Sequence, residues 1–279
     1  MWIVIWISVV LAVIGYVWLF RHCVFILVYH GVGTEQTGIP GLVIRPESFR
    51  KHVRVLSVLG LRSEFVDAVV QENLSGKVRM LPRLCITFDD GYKNIRYNAL
   101  GILREKGWAA TVFVPTDFIG KSNEWDRVHK VPPIDILSWS ELRELSGQEV
   151  CIGSHGKSHS SLTHLSGEEA AEDARSSLSE LKARLPNYSR VFCYPYGHCS
   201  AELFPILREA GYIGACCLVS GALPDPRQVF DIGRLVVRSD SLFRFVLDLA
   251  LYPLKSLLRR LFRHAGRGRP LVDPMPSEP

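Results

Sequence analysis

Seven short apolar runs of five to seven residues recur along this chain, at 23–29, 83–88, 110–115, 149–154, 190–194, 213–219 and 233–238. That recurrence restricts the fold more than any other feature. The runs are continuous rather than alternating, so both faces of each strand are covered. Helical patterns separate them, and their ends are marked. One starts near Pro46 and stops at Gly60; others stop at Gly107, Gly147 and Gly211. The segment 166–186 has Ser166 as its N-cap, Glu169 three residues on as the other half of a capping box, and Pro186 beyond its end. Strands alternating with helices predict an α/β protein with a mostly parallel sheet. About seven such units predict an irregular (β/α) barrel, in which chemistry collects where strands give way to loops.

The two ends carry a different pattern. Residues 2–20, WIVIWISVVLAVIGYVWLF, contain no charge. As a helix at ~1.5 Å per residue they reach roughly 28 Å, close to the thickness of bilayer hydrocarbon. Trp2, Trp6, Tyr16 and Trp18 suit its interfaces. A cleaved signal peptide needs a basic start and a small-residue cleavage site, and neither is visible. The sequence therefore predicts a transmembrane helix, a retained single-pass anchor over 1–22. Arg21, His22, Arg45, Arg50 and Lys51 follow it and only the terminal amine precedes it, which favours the cytoplasmic face for the body over the outer face. Residues 23–240 form that body, one domain. The net charge is +5, and residues 238–269 alone hold eight Lys/Arg against two acids. Basic character confined to one segment argues against nucleic acid as a partner. Within 241–279, Leu247, Leu251, Leu254, Leu258 and Phe262 fall at helical spacing, with Lys255, Arg259, Arg260 and Arg263 off that stripe. This predicts a basic amphipathic helix suited to an anionic bilayer or packed on the body, kinked or divided at Pro253, with a disordered tail after Gly266. Both termini thus point to membrane lipids as partners. Seven cysteines without a C-x-x-C pair read as buried free thiols in a reducing compartment.

The strand ends hold the ionisable groups. His30 follows the first run and Asp89 and Asp90 the second. His155 and His159 follow the fourth, in GSHGKSH, and Pro195, Tyr196 and Gly197 follow the fifth. Each group alone has an ordinary reading, as solvated loop histidines, a solvated acid pair or a helix N-cap. Together, histidines four apart plus a carboxylate make a facial site for a divalent cation. One aspartate can bind the cation while its neighbour stays free as a base, because side chains alternate along an extended chain. A divalent ion brings the pKa of bound water to about 7, so a weak base suffices. Zinc fits two nitrogens and one oxygen, and cobalt, nickel or manganese could also serve.

With these motifs in order, the sequence resembles the polysaccharide deacetylases (carbohydrate esterase family four, the chitooligosaccharide deacetylase-like fold). TFDDGY, GSHGKSH and YPYG look like that family's first three motifs, and the likeness covers roughly residues 24–238, making 23–240 a deacetylase-like catalytic domain. The resemblance implies Asp89 as general base, Asp90, His155 and His159 as metal ligands, and the backbone N–H of Tyr196 as an oxyanion donor. The chain departs from the pattern twice. Cys193 stands where the third motif begins with an arginine that orients the base, and the late Leu-x-His motif supplying the acid is absent. Instead ILVYHGV opens the body. This looks like the circularly permuted branch that includes deacetylases of poly-N-acetylglucosamine, and it makes His30 the acid. Arg190 and Arg234 are the candidates to orient Asp89, with Arg234 preferred.

The implied reaction removes an N-acetyl group from an amino sugar, releasing acetate. A reactive face close to the anchor suggests a glycan or lipid-linked glycan near the membrane. An amidase or deformylase acting on another N-acyl compound would use the same chemistry. An inactive relative that only binds glycans is the alternative outside the enzymes. No G-x-S-x-G elbow supports a serine nucleophile.

Overall fold

The computed structural model describes residues 2–35, 37, 39–76, 81–129, 132–147, 149–218 and 229–265. Helix α1 (Trp2–Arg21) leads into β1 (Val24–Tyr29), the short pair β2 (Gly31–Val32) and β3 (Val43–Ile44), and helices α2 (Pro46–Val58) and α3 (Val66–Leu74). β4 (Arg83–Phe88), α4 (Asn94–Asn98), α5 (Leu100–Arg104), β5 (Ala110–Val114), α6 (Trp139–Leu145) and β6 (Val150–Ser154) follow. The chain continues through α7 (Gly167–Arg184), β7 (Tyr188–Cys193), α8 (Leu203–Ala210), β8 (Gly214–Cys217), β9 (Ile232–Gly233), β10 (Leu235–Val236) and α9 (Leu242–Ala265).

The main sheet runs β10-β1-β4-β5-β6-β7-β8-β9, with parallel pairing throughout. Its two outer members are one stretch of chain interrupted only by Arg234. β9 pairs with β8 and β10 with β1, so this stretch bridges the two sides and nearly closes a (β/α) barrel. The seven apolar runs map onto β1, β4 to β8 and the β9–β10 stretch. Every residue of β1, β4, β5 and β6 is buried, as continuous apolar strands covered on both faces require.

Local signals place the helices. The Ser166–Glu169 capping box forms at the start of α7, and Gly211, at φ 106°, ends α8 in the left-handed conformation that glycine tolerates. The helix expected across 94–107 is broken at Ala99 into α4 and α5. Helix α9 runs from Leu242 to Ala265 through Pro253, so the expected division there does not occur. It packs on the body through Phe245, Leu249 and Tyr252, whose hydroxyl donates to Gly233 O at 3.1 Å. The stripe Leu247, Leu251, Leu254 and Leu258 faces outward. The expected disordered tail after Gly266 and the side chains of Arg260, Phe262 and Arg263 lie outside the described residues.

The expectation of a transmembrane helix is corrected. Among the described residues no helix is long and apolar enough to cross a membrane. The apolar run does fold as α1, but its last turns belong to the body. Leu19 is buried, Phe20 packs on the core, and Tyr16 Oη donates to Ala250 O of α9 at 2.9 Å. The turns before Tyr16 amount to about 14 residues, or ~21 Å, short of the roughly 30 Å of bilayer hydrocarbon.

Candidate active site

β4 ends where the chemistry begins. Asp89 still follows the strand, its N–H donating to Tyr29 O at 2.9 Å. Asp90 then turns into the left-handed region at φ 67°, and Gly91 follows at the same φ. The two carboxylates leave the strand along different paths, and both are buried.

Asp89 meets Arg234 across the barrel. Nη1 donates to Oδ1 at 2.7 Å and Nη2 to Oδ2 at 2.8 Å, the bidentate fork that suits a planar guanidinium. Arg234 is 0% exposed, fixed also by Thr87 Oγ1 at 3.2 Å, Cys193 Sγ at 2.9 Å and Cys217 O at 3.3 Å. Burial by itself would raise the Asp89 pKa, but the charges of Arg234, His155 and His30 outweigh it and hold the carboxyl below its ordinary range. Arg190, the other candidate partner, instead donates to Gly211 O at 2.8 and 3.0 Å. Cys193 leaves the room that Arg234 fills from the closing stretch.

Asp90 faces two imidazoles. His159 Nε2 lies 3.2 Å and His155 Nε2 3.5 Å from Oδ1. All three ligand atoms lie within 4.8 Å of one another, and all three residues are buried. His155 Nδ1 sits 2.8 Å from Cys193 O. A carbonyl only accepts, so Nδ1 carries the proton and Nε2 presents a lone pair toward the carboxylate. Burial pushes the His155 pKa down to about 4, so the ring is neutral near pH 7. Two acceptors facing each other repel unless a cation or proton lies between them, and this donor set fits a divalent cation. Burial would raise Asp90, but His159, His30 and His155 hold it far below the usual carboxylate range.

His30 follows β1, half-buried, and its charge contributes to lowering both carboxyls. Tyr196 is strained at φ 57°, with its ring 5.0 Å from that of His159. The structure therefore brings together His30, Asp89, Asp90, His155, His159, Tyr196 and Arg234 and engages Arg190 elsewhere, at Gly211 O.

Other contributors were not foreseen. Trp125 stacks on His159 with centroids 4.1 Å apart. It comes from a six-residue 3-10 turn, Glu124–His129, with no periodic pattern to mark it. Asp173 of α7 accepts from the N–H groups of Lys157 and Ser158 at 2.8 and 3.0 Å and from Ser158 Oγ at 2.8 Å, holding the loop that carries both histidines. Gly156 in that loop has φ 75°, and a Cβ there would stand 2.9 Å from Asp173 Oδ1. Only glycine combines that backbone with that approach.

Comparisons with known proteins bear on the fold and the family. The family profile described as "Polysaccharide deacetylase" matches residues 80–215. A Bacillus subtilis (strain 168) protein, YxkH, whose name assigns it provisionally to the polysaccharide deacetylases, is 21% identical over 212 residues, 76% of this chain and 70% of its own. Among solved structures, the Streptococcus pyogenes deacetylase PplD in complex with acetate superposes with a TM-score of 0.70 at 16% identity, over 82% of this chain and 98% of its own. IcaB from Ammonifex degensii superposes at 0.68 with 22% identity, over 83% and 97%.

Proposed function

Since the chain belongs to the polysaccharide deacetylase family, we propose that it is a metal-dependent hydrolase removing N-acetyl groups from the amino sugars of a glycan near a membrane. The observation that carries this reading is the pairing of a clamped, ionised carboxylate, Asp89, with a neighbouring two-histidine, one-carboxylate donor set.

Asp90, His155 and His159 would hold the divalent cation, zinc being the best match to two nitrogens and one oxygen. Bound there, the cation would polarise the acetyl carbonyl and acidify the attacking water. Asp89 accepts the proton of that water. Its pKa is held low, so it suits only a water already made acidic, and its fork with Arg234 fixes the direction in which it accepts. The Tyr196 N–H donates to the oxyanion that develops on the acetyl oxygen. His30, on the same face, delivers a proton to the departing amine. Trp125 and Tyr196 pack against His159 and wall that side of the site.

Membrane proximity belongs to the same proposal, now as surface association. α1 exposes Trp2, Trp6, Leu11 and Trp18, and α9 exposes Leu247, Leu251, Leu254 and Leu258 beside Arg244 and Lys255. Apolar side chains bordered by cations suit an anionic lipid surface, with the cytoplasmic face as the side proposed. A lipid-linked glycan is then the substrate class the arrangement favours.

Acetate release from a panel of N-acetylated glycans and glycolipids, with Asp89→Asn as blank, tests the reading. Activity should vanish on chelation and return with zinc, without loss of fold. Turnover that survives exhaustive chelation refutes metal dependence. Equal rates on a soluble oligosaccharide and on the same glycan anchored in vesicles refute the membrane part.

A further inference from the structure

A second set of donor atoms lies behind the Arg234 clamp. Cys217 ends β8, Asp231 precedes β9, and Cys199 comes three residues after Tyr196. Cys217 Sγ is 3.1 Å and Cys199 Sγ 3.7 Å from Asp231 Oδ1, and the three ligand atoms lie within 4.8 Å of one another. The cysteines are not disulfide-bonded. We propose that Cys199, Cys217 and Asp231 bind a zinc-type cation in a structural site distinct from the one at Asp90.

The spacing supports this. Tetrahedral zinc with bonds of about 2.3 Å to sulfur and about 2.0–2.2 Å to oxygen sets neighbouring S and O ligands roughly 3.6 Å apart. The two observed S–O separations bracket that value. Charge agrees as well. Two thiolates and a carboxylate around a dication leave one negative charge, and Arg259 stands beside it. Its Nη2 donates to Asp231 Oδ1 at 2.6 Å and reaches Cys217 Sγ at 3.8 Å. An outer donor that holds two ligands in place is the usual companion of a built metal site. Soft thiolates select zinc over magnesium or calcium. Cys217 is buried, and Cys199 and Asp231 are half-buried.

Binding requires both thiols to ionise, so each cation taken up releases two protons. Uptake therefore strengthens as pH rises. Loading would tie the segment after Tyr196 to β8 and to the stretch that carries Arg234. Cys217 O already accepts from Arg234 Nε.

The test is cobalt loading of the full chain in the presence of reductant. Wild type should show a thiolate-to-cobalt charge-transfer band, which the oxygen and nitrogen ligands at Asp90 cannot produce. The band should persist in His155→Ala and disappear in the Cys199→Ser/Cys217→Ser double variant. If that variant does not fold, zinc should still slow alkylation of Cys199 in wild type at least tenfold, read by peptide mass. A folded wild type without the band, a band that survives loss of both cysteines, or alkylation indifferent to zinc overturns the proposal.

Discussion

β4 starts on one buried arginine cluster and ends on another. At its first residue, Arg83 is held by Glu64 at 2.5 Å and Glu72 at 2.7 Å. Just past its last residue, Asp89 is held by Arg234 at 2.7 Å. Both clusters combine one cation with two acids, counting Asp90 beside Asp89, so local charge does not tell a structural end from a reactive one. Backbone does. Among the described residues, Asp90, His159 and Tyr196 are the non-glycine residues with positive φ, and all three lie at the end holding Asp89. Such conformations cost on the order of 1–3 kcal/mol each and persist where surrounding structure over-determines them. At the Arg83 end, Arg83 lies in β4, Glu72 in α3 and Glu64 in the link before α3, and none of the three has a positive φ.

Replacing each arginine with methionine separates the two ends most sharply. Arg234→Met leaves the buried Asp89 without its partner and should cost about 3–5 kcal/mol in denaturant unfolding; Arg83→Met removes the cation beside the half-buried Glu64 and Glu72 and should cost less, about 1–3 kcal/mol. Their kinetics should diverge. Arg234→Met removes the fork that keeps Asp89 ionised and aimed, and kcat per folded molecule should fall by about 10²–10⁴-fold, the worth of a positioned base. Arg83→Met should leave kcat within a factor of about two. Equal losses of kcat would dissolve the distinction between the ends.

Much of the barrel is legible in the sequence because its strands are unbroken apolar runs and its helices carry strong punctuation, such as the Ser166–Glu169 box. The site is legible where motif residues abut those strands. Arg234 could be ranked above Arg190, but its fork with Asp89 could not be seen, because it depends on β9 and β10 meeting opposite edges of one sheet. Helix α3 was missed because it buries only Val66, Val69 and Val70, too few to show a period. Asp173 was unreadable as a loop holder since its α7 position looks like any polar helical site. The first helix was misjudged because apolar content says how long a span is, and not how many of its turns pack on the body.

The next contrast is in pH. His52, packed between Tyr29 and Phe245 and outside the donor set, has its pKa lowered to about 4 by burial, against an opposing influence of Asp240. His155 is lowered to about 4 as well. Unfolded imidazoles titrate near ~6.5, so the unfolded chain takes up these protons first. The stability each neutral ring contributes is whole above ~6.5 and is lost as pH falls from there through about 4. Asp89 and Asp90 are depressed carboxyls, and what they contribute is lost only below ~3.9. Each histidine should account for a loss of about 3 kcal/mol over the upper window. His52→Gln and His155→Gln should each flatten part of that slope. Added zinc should change the part due to His155 and leave the part due to His52 alone. Zinc-insensitive slopes for both would place His155 with the structural residues.

The smallest effect bears directly on strain. A glycine placed in regular helix at the Arg83 end, Gln71→Gly in α3, should cost about 0.5–1 kcal/mol in backbone entropy. Tyr196→Gly changes a residue held at φ 57°, which glycine adopts without penalty. Relief of roughly 1 kcal/mol should offset most of the packing lost against His159, leaving stability within about 0.5 kcal/mol of wild type. The N–H proposed to hold the oxyanion is main chain and survives the change, so kcat should drop less than tenfold, from a looser wall alone. Denaturant midpoints and initial acetate-release rates for the two variants read both quantities. A Tyr196→Gly protein destabilised as much as Gln71→Gly would show no strain stored at Tyr196, and the contrast between the ends would then rest on Asp90 and His159.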